Sequence, residues 1–249
     1  MTIVAAVRTH PLTFLFGLAA VSLLGLLFAP PIRQSQSYHN FVDQLTLLGV
    51  PNFWNVVSNL PFVAIGALGL MRVRGSMSAT IFFLGVFLTG FGSAYYHWRP
   101  DDLGLFWDRL PIAVSFMALF ANVIEERIDA GVGKALLWPL IAVGVVSLLI
   151  WLRYDDLRLY AWVQFFPCVV LPLMFWLFPP KYTGTGYWFA AAGWYVLAKV
   201  FEYTDATVYS AGQILSGHTL KHLAASAACY AILQAFESRR LLGLKSDVP

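Results

Sequence analysis

The sequence predicts an all-α, polytopic transmembrane helical bundle: a seven-helix core with one extra N-terminal transmembrane helix. Three observations carry this. Of the 249 residues, 59% are hydrophobic and only 12% are charged, where a soluble globular domain carries about 25% charged residues. The mean hydropathy is +0.69. Apolar runs near the length of about 20 residues that a helix needs to cross hydrocarbon follow one another along the chain, divided by short polar joints.

The first run covers 12–29 and is closed by Pro30 and Pro31. A cleaved signal peptide is the alternative for it, but the run is long and no convincing Ala-x-Ala site precedes Pro30, so it reads as a retained span. Residues 1–31 are thus expected to be the extra helix and 32–52 a polar extracytoplasmic loop. The core, 53–240, holds runs at 53–71, 78–97, 106–124, 135–152, 157–177, 187–203 and 219–236, and 241–249 form a tail. Pro167 and Pro172 are expected to kink the run at 157–177, which neighbouring helices tolerate. Tryptophan and tyrosine fall near run ends, as an interfacial belt does.

Basic residues give the orientation. With both termini on one side, that side holds Arg8, Arg72, Arg74, Arg127, Lys134, Lys181, Arg239, Arg240 and Lys245, and the other holds Arg33, Arg99, Arg109, Arg153 and Arg158. The positive-inside rule places both termini in the cytoplasm. A net charge of +3 is too small to suggest a nucleic-acid partner. Cys168 and Cys229 sit in apolar runs and read as small buried hydrophobes, with no disulfide framework.

The chemistry gathers at the non-cytoplasmic side. His218 and His222 stand four apart behind Ser216, a good N-cap, and Gly217. On a helix this spacing puts two imidazoles on one face, about 5–6 Å apart at Cβ. Ser93 and His97 repeat the spacing at the end of another span, and Asp108 opens the next. Orientation alone brings His97, Asp108, His218 and His222 to one side at similar depth. Polar groups inside a membrane are costly and by default functional. Three neutral imidazoles with an open fourth position are a catalytic zinc arrangement. Zinc lowers the pKa of its water to about 7 and polarises a carbonyl. A carboxylate can then move a proton, and a hydroxyl can hold an oxyanion. Asp108, or Asp101 or Asp102, fits the carboxylate, and Ser93 fits the hydroxyl. The plainer readings are a Ser93 that bonds its own helix or eases helix packing, and an Asp108 that pairs with Arg109.

Other polar groups read as structural. Asn55, Ser58 and Asn59 share one side of their span and suit interhelical hydrogen bonds. Lys199, Glu202 and Asp205, at i, i+3 and i+6, suit a charge pair, with a transporter's proton relay as the alternative. Lys221 is expected to point about 100° from each histidine on the helical wheel and to snorkel or pair with Glu202. His10 and His39 receive no role.

The run Phe53-Trp54-Asn55-Val56-Val57-Ser58-Asn59, the run Gly92-Ser93-Ala94-Tyr95-Tyr96-His97, Asp108, and Ser216-Gly217-His218-Thr219-Leu220-Lys221-His222 together resemble the alkaline ceramidase family. That family lies in a superfamily of seven-span metal hydrolases that includes adiponectin-type receptors. The resemblance covers roughly 52–236 and is closest to bacterial members. It implies a zinc amidase that cleaves ceramides to a fatty acid and a sphingoid base. It also implies His97, His218 and His222 as metal ligands, and Ser93 and Asp108 as catalytic. It further implies a membrane-lipid substrate, ceramide or another N-acyl lipid, in a bacterial inner membrane. Two departures stand out. The helix at 12–29 is additional. Asn52 occupies the position of a calcium-binding glutamate, with Asp43 the one carboxylate upstream, so a Ca²⁺ site is doubtful. The competing readings are a receptor with a structural metal and a hydrolase of ester lipids.

Overall fold

A computed structural model describes residues 3–242, and within them the chain is a helical bundle with only two isolated β-bridges. The tail expected at 241–249, with Lys245, lies almost wholly outside the described residues. The helices are α1 (Ile3–Thr9), α2 (Pro11–Phe28), α3 (Phe53–Val57), α4 (Leu60–Arg72), α5 (Met77–Trp98), α6 (Asp102–Arg127), α7 (Ala130–Tyr154), α8 (Arg158–Leu177), α9 (Thr185–Tyr203), α10 (Asp205–Gly212) and α11 (Gly217–Ser238).

Among the described residues, six helical segments are long and apolar enough to cross a membrane: α2, α3 with α4 taken together, α5, α6, α7 and α8. The sequence expectation of an all-α polytopic bundle agrees with this. Helices α9 and α11, counted as spans from the sequence, are not among the six. Both carry charged or imidazole side chains turned inward.

Helix α6 is the centre, packed against α5, α7 and α8, while α11 lies along α9 and touches α4. The core runs through Phe83, Met117, Ile124, Leu148, Val163, Val170 and Leu233, all fully buried or nearly so. Large apolar side chains such as Leu27, Phe28, Val169, Trp176 and Val196 point outward instead. An outward apolar shell around a filled core is what a bilayer as solvent requires.

Helix α2 stands at the edge and leans on α8. Trp162 Nε1 donates to Ser22 Oγ at 2.9 Å. Arg158 Nη1 donates to the carbonyls of Leu26 and Ala29 at 3.1 and 2.7 Å. Those carbonyls end α2, where the Leu26 carbonyl also accepts from the Ala29 N–H at 3.2 Å, and a cation is favourable there.

The structure adds detail to three sequence expectations. The span at 53–71 is not one helix: α3 stops at Val57 and α4 starts at Leu60. Pro61 lacks the N–H that would bond the Val57 carbonyl, and Asn59 Nδ2 donates to the Asn55 carbonyl at 2.7 Å. The joint after α9 is not all loop, because it contains α10. The loop at 32–52 folds over one end of the bundle, with His39 Nδ1 3.0 Å from Tyr96 Oη and Nε2 3.1 Å from Asp102. His39, given no role from the sequence, therefore anchors this loop. Helix α8 runs unbroken through Pro167 and Pro172.

Candidate metal centre

Helices α5 and α11 meet at the end of the bundle that the 32–52 loop covers. His97 lies in the last turn of α5, and His218 and His222 in the first turns of α11. All three are buried. One ring nitrogen from each lies within 4.8 Å of the others. Nε2 of His97 and Nε2 of His218 are 3.3 Å apart. Two nitrogens each about 2.0–2.1 Å from a tetrahedral ion stand roughly 3.3 Å apart, so this pair already has the spacing of two ligands. The residues present therefore fit a divalent metal. Among the described residues the group contains no fourth ligand. Lys221 Nζ lies 2.9 Å from His218 Nε2.

The surroundings hold these rings in place. Ser216 caps α11, its Oγ accepting from the Thr219 N–H at 3.1 Å, as its residue type predicts. The backbone N–H of His218 donates to Asp205 Oδ1 at 2.7 Å. Asp205 thus serves the start of α11 and is drawn away from the Lys199–Glu202 pair, which closes at 2.7 Å. Ser58 Oγ lies 2.8 Å from His222 Nδ1, which leaves His222 Nε2 free. Asn55 Oδ1 accepts from Thr219 Oγ1 at 2.8 Å. Asn55 and Ser58 do join helices, as their type suggests, but the helix they join is the one bearing the histidines. The break at Pro61 is what turns Ser58 toward it.

The 32–52 loop closes the centre from above. The Phe41 ring sits 4.6 Å from that of His97 and 5.6 Å from that of His218. Asn52, in a left-handed conformation at φ 48°, donates its Nδ2 to the His97 carbonyl at 2.8 Å. Its amide thus buttresses the end of α5. Asp43 is fully buried, and its Oδ1 accepts from the Leu45 N–H at 3.0 Å.

Ser93 and Asp108 face each other across the α5–α6 contact. Asp108 Oδ1 is buried and has no hydrogen-bond partner. No ion pair joins Asp108 to Arg109 among the described residues. The other two carboxylates considered are occupied elsewhere: Asp101 caps α6 through Gly104, and Asp102 holds His39 and Gln36. Gly92 lets the two helices close up, because a Cβ there would overlap the Trp107 carbonyl oxygen. Gly92→Ala is expected to cost about 1–3 kcal/mol by overpacking and to part Ser93 from Asp108. A lowered melting temperature in detergent checks this, and an unchanged one would refute it.

A cavity of about 500 Å³ opens beside the histidines. Its polar end contains Tyr38, Ser93, Asp108, Arg109, Lys199, Glu202, Lys221 and His222, and its remainder is apolar, with Phe82, Phe116, Leu119, Phe175 and Ile232. Long apolar walls with a few convergent polar groups are the usual make-up of a ligand site. Burial raises the Tyr38 phenol above its ordinary value, and Glu202 pushes the same way, so the hydroxyl stays protonated. Lys221 corrects the wheel expectation: its offset from His218 is three residues, about 60°, and it bridges His218 and Glu202, 3.3 Å from the latter.

Residues 48–183 match the family model described as Ceramidase. No curated protein matches the chain.

Proposed function

This chain belongs to the ceramidase family, amide-bond hydrolases, and we propose that it is a zinc-dependent intramembrane amidohydrolase acting on ceramide-like lipids. It would release a fatty acid and a sphingoid base. The observation that carries this reading is the buried three-histidine group, whose member His222 lines a cavity that also holds Ser93 and Asp108. Three histidine ligands, the group found among the described residues, are the number that a catalytic zinc site uses.

His97, His218 and His222 would hold the ion. When bound, zinc acidifies a water molecule and polarises a carbonyl. The chain's own residues supply the rest. The apolar walls take the acyl chain and bring the amide to the polar end. Asp108 takes a proton from the attacking water as its oxygen bonds to the amide carbon. The Ser93 hydroxyl donates to the carbonyl oxygen as it gains negative charge. The C–N bond breaks, and Asp108 returns the proton to the leaving nitrogen, which departs as an amine. Asp108 Oδ1, without a protein partner, is free for that exchange. In the orientation favoured by the basic residues, substrate enters from the outer leaflet.

The test is mass spectrometry of products after the purified protein meets a mixed lipid extract, with and without a zinc chelator. Sphingoid base is expected only without chelator. Its absence from both samples would overturn the reading. Ser58→Ala removes the partner of His222 Nδ1. It is expected to weaken zinc binding by about 10–100-fold, as loss of an outer-shell partner does. Competition with a zinc-sensitive dye measures this, and an unchanged affinity would deny Ser58 that role.

A further inference from the structure

Arg109 lines the polar end of the cavity, next to Asp108 on α6, and the hydrolytic steps above make no use of it. It is only 9% exposed. Its guanidinium carbon lies 4.6 Å from the Trp151 ring, 5.0 Å from Tyr160 and 5.7 Å from Tyr38. Among the described residues no carboxylate pairs with it. Its Nη1 is buried with no hydrogen-bond partner.

Three aromatic faces offset part of the cost of burying a guanidinium, and the Tyr38 hydroxyl faces it as well. They supply no negative charge, and a buried cation is ordinarily paired. The rest of the polar end does not make up the deficit. Lys199 and Lys221 share a single carboxylate, Glu202. The cavity's three cations, Arg109, Lys199 and Lys221, thus stand against two carboxylates, Asp108 and Glu202, and the proposed metal would add further positive charge. The hydroxyls of a neutral head group accept hydrogen bonds from Nη1 but bring no negative charge. A phosphate or carboxylate presents two oxygens to the planar fork of an arginine.

We infer that the cavity takes N-acyl lipids whose head group carries an anionic phosphate or carboxylate, with Arg109 as the residue that binds the anion. This rests on the hydrolase reading for the acyl amide, but not for the anion site.

The experiment is a binding titration on chelator-treated full-length protein in detergent, so that no probe is turned over. Three probes share one acyl chain: N-dodecanoyl sphingosine, its 1-phosphate, and N-dodecanoylglycine. The wild type is expected to bind at least one anionic probe about tenfold or more tightly than the neutral one, the worth of one charge-assisted bond. Phosphate or carboxylate is identified by which probe shows the gap. Arg109→Gln is expected to close the gap to within about threefold, and Arg109→Lys to keep part of it. Equal binding of all three probes by the wild type overturns the inference, as does a gap that survives Arg109→Gln. If Arg109→Gln does not fold, the wild-type comparison and Arg109→Lys still decide. Restoring zinc separates the two claims. An Arg109-dependent gap with no probe cleaved removes the hydrolase reading alone, and cleavage of the neutral probe with no gap removes the anion site alone.

Discussion

His218→Ala is expected to remove bound zinc and turnover together. His218 is held in place at the start of α11. Gly217 leaves room for the close approach of α9 and α10, since a Cβ there would overlap the Phe201 carbonyl oxygen. Asp205 Oδ1 holds the His218 N–H, and Nε2 lies 3.3 Å from its counterpart on His97. Losing an outer-shell partner costs about 10–100-fold in affinity, and losing one of three ligands costs more. Turnover is expected to fall by at least about a thousandfold, because the chemistry that zinc supplies goes with it. Metal analysis of the purified variant, beside its elution profile as a check on folding, measures the first effect, and product release measures the second. A folded variant that kept both would sink the assignment of the metal centre.

Asp108→Asn is expected to separate the two effects. The side chain keeps its shape and can still meet Ser93, and the three histidines are untouched, so metal content should stay at the wild-type level. Asparagine cannot accept a proton from water and return it to the amine. General acid–base groups contribute about 10²–10⁴-fold, and a loss of that order in turnover is expected. Buried Oδ1, with no partner to exchange it against, offers no substitute route. Asp101 and Asp102 are engaged as a helix cap and a loop anchor, so neither is placed to take over. Turnover within about threefold of wild type would fall far below that range and would remove Asp108 from the proton path.

The two substitutions depend on different parts of the sequence. His97, His218 and His222 were legible because each is a polar side chain at helical spacing inside or beside an apolar run, where its cost in hydrocarbon marks it out. Asp108 and Ser93 were legible more weakly, as one choice among neighbouring carboxylates and a serine with an ordinary packing role. Ser58 read only as helix glue. No local signal shows that its partner is His222, 164 residues away. Asn52 stood out as a departure from a family pattern, yet its contact with the His97 carbonyl could not be read from that.

The sequence by itself determined the class of the molecule, most helix positions, and the side chains costly enough in a membrane to need a purpose. Those properties are local: apolar run length, a 3.6-residue period, and the price in hydrocarbon of each polar group. Tertiary structure decided the rest. It set the break at Pro61 that turns Ser58 toward α11, and the return of the 32–52 loop over the histidines. It also set Lys221 against Glu202 and Arg109 among three rings, with no ion pair to it among the described residues. Each of these depends on how far a helix is rotated and how closely it crosses its neighbour. Those quantities come from side chains packing across the whole bundle, and no short stretch of sequence records them.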